Sequence, residues 1–176
     1  MKNILVLSVA LFVSSLMSCE SCNQTNNVAD AQVVDAQTEC PMDRVLEKDN
    51  INLTLPMTWG EEPNSRKTVL LVAIEPKLES LLVLTKEPYT GTFDQFAIDS
   101  IRGLRSGDAG LVGTSSVELN GSPFVLAETT KDGLTMLEWI TVKDGFGYGL
   151  SCGGPEVNSD KHVEACQKIA TSLTIN

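Results

Sequence analysis

Five cysteines and one histidine are the residues of this 176-residue chain that could carry thiol or metal chemistry. His162 stands four residues before Cys166, a spacing that places two side chains on one face of a helix. A Cys–His nucleophile pair or a metal site could use that arrangement. A metal ion needs three or four ligands, however, and the sequence has no other histidine or suitably spaced cysteine. We therefore predict no metal site and no cofactor, and we interpret His162 as an exposed residue in the first turn of a helix.

Hydroxyl, carboxylate and glycine patterns give no stronger sign of catalysis. Ser151 and the pair Ser115-Ser116 lack the Gly-x-Ser-x-Gly turn that exposes a nucleophile. Glu138 lies between two apolar residues but has no second carboxylate with which to form an acid–base pair. The glycines between residues 147 and 154 lack the Lys-Ser/Thr of a phosphate loop, so we interpret them as letting a sheet coil, with close approach of a ligand or another chain as the alternative. No catalytic residue is predicted, and we expect the protein not to be an enzyme.

The elements that would position these residues begin with strands. Residues 51–55 alternate apolar and polar side chains, as a half-buried strand does. Residues 68–74 and 80–85 are two further apolar runs, separated by Glu75-Pro76-Lys77. A Thr-x-x-Gln capping box at 92–95 then opens an amphipathic helix that should end near residues 103–107.

Four closely spaced strand signals follow this helix. They are separated by Asn120-Gly121, Asp132-Gly133 and Asp144-Gly145, which are dipeptides typical of two-residue hairpin turns. The predicted strands span 111–119, 124–130, 134–142 and 146–152, and an apolar stripe then marks a C-terminal helix: Val163, Cys166, Ile169, Ala170 and Leu173. Strands, a helix, a four-strand meander and a last helix predict an α+β fold, in which helices pack on an antiparallel sheet.

The charge of the chain excludes one class of partner. The net charge is −10, and the first 18 residues contribute only Lys2 to it, so the rest of the chain is more acidic still. Nucleic-acid binding requires basic patches that neutralise phosphates, and we therefore predict no nucleic-acid partner. The acidity also opposes adsorption to anionic lipid headgroups.

Cys19 ends the run Leu16-Met17-Ser18-Cys19, directly after a short apolar stretch that follows Lys2. This arrangement resembles the lipobox of bacterial lipoproteins. The resemblance implies that residues 1–18 are a cleaved signal peptide and that Cys19 carries a diacylglyceryl thioether, usually with a third chain on its amine. An ordinary signal peptide or a retained membrane helix are the alternatives, although about 14 apolar residues fit a signal peptide better than a span.

A lipid anchor at Cys19 would determine the organisation of the whole chain. Residues 19–39 are polar and have no sustained apolar period, so we interpret them as a flexible tether, and residues 40–176 as a single domain. The expected location is the bacterial cell envelope, with the acyl chains in the bilayer. Glu20 favours the outer membrane, facing the periplasm. An envelope protein is a possible partner.

Lipidation of Cys19 would leave four cysteines in an oxidising compartment, which permits disulfides. On the last predicted strand Cys152 shares a face with the large apolar residues, and Cys166 lies on the apolar stripe of the last helix. Both sulfurs should point into the space between sheet and helix, so we predict a Cys152–Cys166 disulfide, with two free buried thiols as the alternative. The pairing of Cys22 and Cys40 stays open.

The segment from about residue 43 onward resembles the PsbP-like α/β sandwich, a fold also found in DcrB-type bacterial lipoproteins. The similarity lies in Leu55-Pro56-Met57-Thr58-Trp59, in Phe93-Asp94-Gln95-Phe96, in the strand 146–152 and in the helix ending at 169–173. It implies an antiparallel sheet flanked by helices in a small accessory or binding protein. The expected function is thus a non-enzymatic envelope module. A small-ligand carrier or an unrecognised envelope hydrolase are the alternatives.

Overall fold

The computed structural model describes residues 43–176, and the elements in that part of the chain are ten strands, two α-helices and one 3-10 turn. The strands are β1 (Arg44–Lys48), β2 (Ile51–Leu55), β3 (Gly60–Glu61), β4 (Val69–Glu75), β5 (Ser80–Pro88), β6 (Gly110–Leu119), β7 (Ser122–Lys131), β8 (Leu134–Lys143), β9 (Phe146–Pro155) and β10 (Thr174–Ile175). The helices are α1 (Phe93–Ser106) and α2 (Ser159–Thr171), and the 3-10 turn is Glu156–Asn158.

Two antiparallel sheets organise these strands. The larger has seven strands in the order β3-β4-β5-β9-β8-β7-β6, and the smaller has the order β1-β2-β10. β9 therefore lies between β5 and β8, so the last long strand of the sequence joins the earlier strands to the meander. The predicted α+β fold with helices on an antiparallel sheet is confirmed.

The three hairpin turns of the meander form because their residues tolerate a left-handed backbone. Asn120, Asp132 and Asp144 have φ of 49°, 50° and 51°, and the glycine after each has φ between 75° and 80°. Two successive residues with positive φ define the turn that matches the right-handed twist of the strands. The sequence thus specifies the register of β6 to β9.

Helix α1 begins at a capped residue, as the sequence indicates. The side-chain oxygen of Thr92 accepts a hydrogen bond from the backbone N–H of Gln95 at 3.2 Å, which satisfies one free donor of the first turn. The helix packs mainly against β6, β7 and β8. The side of the seven-stranded sheet on which it lies, which includes Gly147 and Ile140, is called the α1 face below.

The core lies on the opposite side of the same sheet, called the α2 face below. Helix α2 and the three-stranded sheet cover it, and the apolar residues of β2 point into it with exposures of 2% or less. Its fully buried side chains include Leu82, Leu150, Cys152, Cys166 and Ile169. Helix α2 and the sheet are thus held by apolar contacts over the middle of β9.

The structure also shows elements that the sequence did not predict. β1, β3 and β10 are short strands at sheet edges, and β9 continues through Gly153 and Gly154, where we expected it to stop. Short strands carry little periodicity and are defined by their partners. In the described part of the chain no helix is long and apolar enough to cross a membrane.

Candidate functional site

A disulfide joins Cys152 of β9 to Cys166 of α2, with an S–S distance of 1.97 Å and a Cα–Cα distance of 5.7 Å. This supports the predicted pair. Both sulfurs are buried at 0% exposure, so neither serves as a nucleophile or a metal ligand. The bridge closes a loop of 14 residues, which in the chain-entropy model contributes about 3 kcal/mol to stability. It fixes α2 to the centre of the seven-stranded sheet.

The interpretation of His162 as an exposed residue was wrong, because its side chain is fully buried. His162 precedes Cys166 by one helical turn, so it shares the face that packs on the sheet. Its Nδ1 lies close to Gly154, and a Cβ on that glycine would be 3.3 Å away. The four-residue spacing from Cys166 was the sequence signal that His162 is buried, even though its imidazole is polar.

His162 and Ser80 come close enough to raise the question of a serine nucleophile with a histidine base. The Ser80 hydroxyl and the His162 Nδ1 flank the same position above Gly154, at 3.2 Å and 3.3 Å from it. They form no hydrogen bond with each other, and within residues 43–176 neither ring nitrogen nor the Ser80 hydroxyl has a partner. The nearby Glu75 carboxylate accepts the backbone N–H of Leu78 instead. Ser80 and His162 therefore do not form an activated nucleophile.

Burial determines the protonation of His162. Desolvation lowers the pKa of its imidazole below 6.5, and the negative charge of Asp160 only partly opposes this. The ring is therefore neutral at physiological pH. A neutral, enclosed imidazole without a hydrogen-bond partner acts as a core side chain here rather than as a proton carrier for a substrate.

Glu138 is a titratable group on the α1 face that is half-buried and has a hydrogen-bond partner. It lies on β8 opposite Ser151 of β9, whose hydroxyl donates to the Glu138 Oε1 at 3.2 Å. Burial raises the pKa of Glu138 from 4.5 to about 7, and the Ser151 hydrogen bond opposes part of that rise. The partner of Glu138 is thus a hydroxyl and not a second carboxylate. A half-buried carboxyl that titrates near neutral pH can accept or donate a hydrogen bond on this face.

Two glycines of β9 have packing roles on the α1 face. A Cβ on Gly147 would lie 2.2 Å from the Phe96 ring of α1, and one on Gly153 would lie 2.0 Å from the Thr135 carbonyl oxygen. Gly147 is therefore needed for the helix to approach the sheet. On the same face of β4 and β5, the side chains of Val72, Ile74, Leu81 and Val83 are only half-buried.

A groove of about 420 Å³ lies at the end of the meander away from Gly147, beside the first turn of α2. It is called the acidic groove below, and its lining includes Val112, Glu128, Thr130, Glu156, Asp160 and Val163. The ion pairs between described residues lie elsewhere, so the three carboxylates of the groove have no basic partner there. In the described part of the chain no group of His, Cys, Asp and Glu side chains has the arrangement of a metal site.

A second, apolar cleft of about 180 Å³ separates the two sheets. Leucines and one isoleucine of both sheets line it: Leu46, Ile51, Leu53, Leu70, Leu71 and Leu84. Pockets for drug-sized ligands have volumes of about 300–1,000 Å³, so this cleft holds at most a small apolar group. It lies between the two sheets, and a small-ligand carrier would need a larger apolar cavity.

The predicted lipidation site lies outside the described residues, as do Cys22, Cys40 and the boundaries at residues 18 and 39. The anchor, the tether and the beginning of the domain at residue 40 therefore stay predictions.

Comparison with known proteins shows the fold. No protein-family model and no curated protein matches the sequence. The chain is similar to the solution structure of the cyanobacterial PsbP protein (CyanoP) from Synechocystis sp. PCC 6803, with a TM-score of 0.61 and 12% identity over 76% of this chain and 92% of that one.

A crystal structure from Bacteroides thetaiotaomicron VPI-5482 also aligns, with 17% identity over 72% of this chain and 45% of that one. Its TM-score of 0.48 carries no argument. The similarity to CyanoP shows that the described residues have a PsbP-like fold.

Proposed function

We propose that the protein is a non-enzymatic accessory or binding module, held at a membrane of the bacterial cell envelope by lipid on Cys19. The PsbP-like fold supports an accessory role, since the similar solved structure is that of a cyanobacterial PsbP protein. The resemblance of Leu16-Met17-Ser18-Cys19 to a lipobox supports the anchor. On this proposal the domain is attached to the outer membrane, faces the periplasm and contacts another envelope component.

The observation that carries the proposal is the disulfide between β9 and α2. Disulfides form and persist in oxidising compartments such as the periplasm, in agreement with export of the chain. The same bond removes the two described thiols from chemistry, while burial withdraws His162 and Ser80 from any substrate. The groups that an enzyme would use are thus built into the core, and the exposed features are surfaces suited to binding.

The two alternatives receive less support. A hydrolase that used Ser80 and His162 would need them in contact and open to solvent, whereas both are buried and no hydrogen bond joins them. A small-ligand carrier would need a large cavity, whereas the apolar cleft has a volume of about 180 Å³.

Metabolic labelling with palmitate tests the anchor. The wild-type chain and the variant Cys22→Ala should both take up label and fractionate with membranes, because Cys22 is the matched cysteine outside the lipobox. Cys19→Ala should be unlabelled. Equal labelling of all three chains would refute the anchor.

Crosslinking in intact cells tests the accessory role. The wild-type chain should be recovered in a defined complex with an envelope protein, and the complex should be weakened when the domain is displaced by Cys19→Ala. Recovery of the chain free of any envelope protein would contradict the accessory role. Hydrolysis of an ester or glycan substrate that is lost in His162→Ala, with the fold intact, would favour the enzyme.

A further inference from the structure

Strand β6 forms one edge of the seven-stranded sheet and is ten residues long. The opposite edge is β3, which has only two residues. The pairing of β6 is with β7, so its outer backbone N–H and C=O groups have no partner among residues 43–176. A long edge strand of this kind is a template on which another extended chain can add.

Beyond its first few residues, β6 lacks the devices by which proteins usually protect such an edge. It contains no Lys, Arg or Pro, and its single charged residue is Glu118. One register shift, between Leu111 and Gly113, disturbs the pairing near the beginning of the strand. The residues from Thr114 to Ser116 are exposed, and the backbone there is regular. The edge is therefore open from Gly113 to Glu118.

The acidic groove adjoins this edge at Val112 and Gly113. Gly113 pairs with Glu128, and a Cβ at Gly113 would meet no atom within 4 Å. Val112, which is 60% exposed, lies at the register shift and lines the groove. A side chain of a strand added beside β6 can thus pass Gly113 and reach Glu128. Glu156 and Asp160 also line the groove that contains Glu128.

Charge decides which chain fits. The segment preceding the described residues contains no basic residue from position 3 to 42, whereas it contains Glu20, Asp30, Asp35 and Glu39. A second copy of the chain would bring together two molecules of net charge −10. The chain's own preceding segment and a second copy of the chain would therefore each place further negative charge beside the acidic groove. Like-charge repulsion disfavours both of them as the strand that adds to β6.

We propose that the β6 edge binds a basic, extended segment of a partner protein as an added antiparallel strand, whose Lys or Arg side chains enter the acidic groove. The added backbone hydrogen bonds would supply affinity, and the carboxylates would select a basic sequence. This inference rests on the proposed binding function and names the chemistry of the partner. It does not depend on the lipid anchor, so palmitate labelling and the experiment below can fail separately.

The test uses the full chain, extracted in detergent from cells that export it. The probe is a fluorescent peptide of about nine residues in which Lys alternates with Val and Thr, long enough to form a strand. Two matched peptides serve as controls. One has Glu in place of every Lys, and the other has Pro in place of the central residue. The basic peptide should bind saturably and perturb the backbone amide NMR signals of residues 113–118. The acidic and proline peptides should bind about tenfold or more weakly.

Variants of the protein separate the two parts of the surface. Glu128→Gln with Glu156→Gln should weaken the basic peptide about tenfold, because rim carboxylates attract the cation. Glu47→Gln with Glu61→Gln, which lie at the other cleft, should leave binding unchanged. Ser115→Lys, on the open edge, should weaken binding without loss of the fold.

Three outcomes would overturn the proposal. The first is that the basic peptide does not bind, or that it perturbs a surface other than β6. The second is that the amides of residues 113–118 are already protected from exchange in the free chain and become exposed on deletion of residues 20–39, which would assign the edge to the chain's own segment. A concentration-dependent dimer that protects the same amides would assign it to a second copy.

Discussion

Replacing Glu138 with glutamine should stabilise the protein at about pH 8 and leave its stability nearly unchanged at about pH 4. Glutamine keeps the shape of the side chain and an oxygen that can accept the Ser151 hydrogen bond. It cannot ionise, so it removes the cost of holding a charge in a half-buried position. The expected gain should therefore appear only where Glu138 is ionised.

The magnitude follows from the pKa. Burial raises the pKa of Glu138 from 4.5 to about 7, and one pKa unit corresponds to about 1.4 kcal/mol. The folded state thus holds the proton of Glu138 more tightly than the unfolded state does. The contribution of Glu138 to wild-type stability therefore falls as the pH rises from 4.5 to about 7, and it is constant above about pH 7. The full difference is about 3 kcal/mol, and since the side chain is partly exposed we expect a gain of about 1–3 kcal/mol.

Urea denaturation at several pH values between about 4 and 8 measures this effect, with the free energy of unfolding of the variant compared with that of the wild type at each pH. Other titrating groups contribute to both proteins and cancel in the difference. Glu118→Gln, at an exposed position of β6, is the control for loss of one surface charge. A difference that is constant across the pH range, or equal to that of the control, would refute the reasoning.

Three further predictions concern the packing around β9. Cys152→Ser with Cys166→Ser should lower the free energy of unfolding by about 3 kcal/mol in urea, and a reductant should lower it similarly in the wild type but not in the variant. Gly147→Ala should cost about 1–3 kcal/mol, because its Cβ would overlap the phenylalanine ring above it, whereas Gly113→Ala should be close to neutral. His162→Leu should reduce the loss of stability on acidification, since the lowered pKa of His162 makes the folded state lose stability as the pH falls below about 6.5. An unchanged acid response in this variant would contradict that account.

Local signals account for most of what the sequence could predict. The dipeptides Asn120-Gly121, Asp132-Gly133 and Asp144-Gly145 specify turns by their own backbone preferences, and Thr92 caps α1 through a bond to a neighbouring residue. The alternation of side chains on β9 sufficed to place Cys152 toward the last helix. Each of these features depends on residues that are close in the sequence.

The features that could not be predicted depend on distant partners. The pairing of β9 with β5 sets the strand order, and this order makes β6 an edge. The Ser151 partner of Glu138 and the Phe96 ring above Gly147 likewise come from other elements. The prediction for His162 was wrong because it took a polar imidazole to be exposed to solvent. The side chain of His162 instead lies on the buried face of α2 that contains Cys166.

The position of β9 between β5 and β8 has a consequence for the order in which an exported chain can complete its fold. A chain that emerges from its N-terminal end presents β4 and β5 long before residues 146–155 follow, so the inner edge of β5 waits without its partner. The hairpin β4–β5 and the strands β6 to β8 can each form by local turns, but only the arrival of β9 joins them into one sheet. The disulfide comes later still, because Cys166 follows β9 in the chain. On the proposed export, the domain would consist of two unjoined parts with an open strand between them until β9 arrives, and in this interval it would depend most on protection from aggregation.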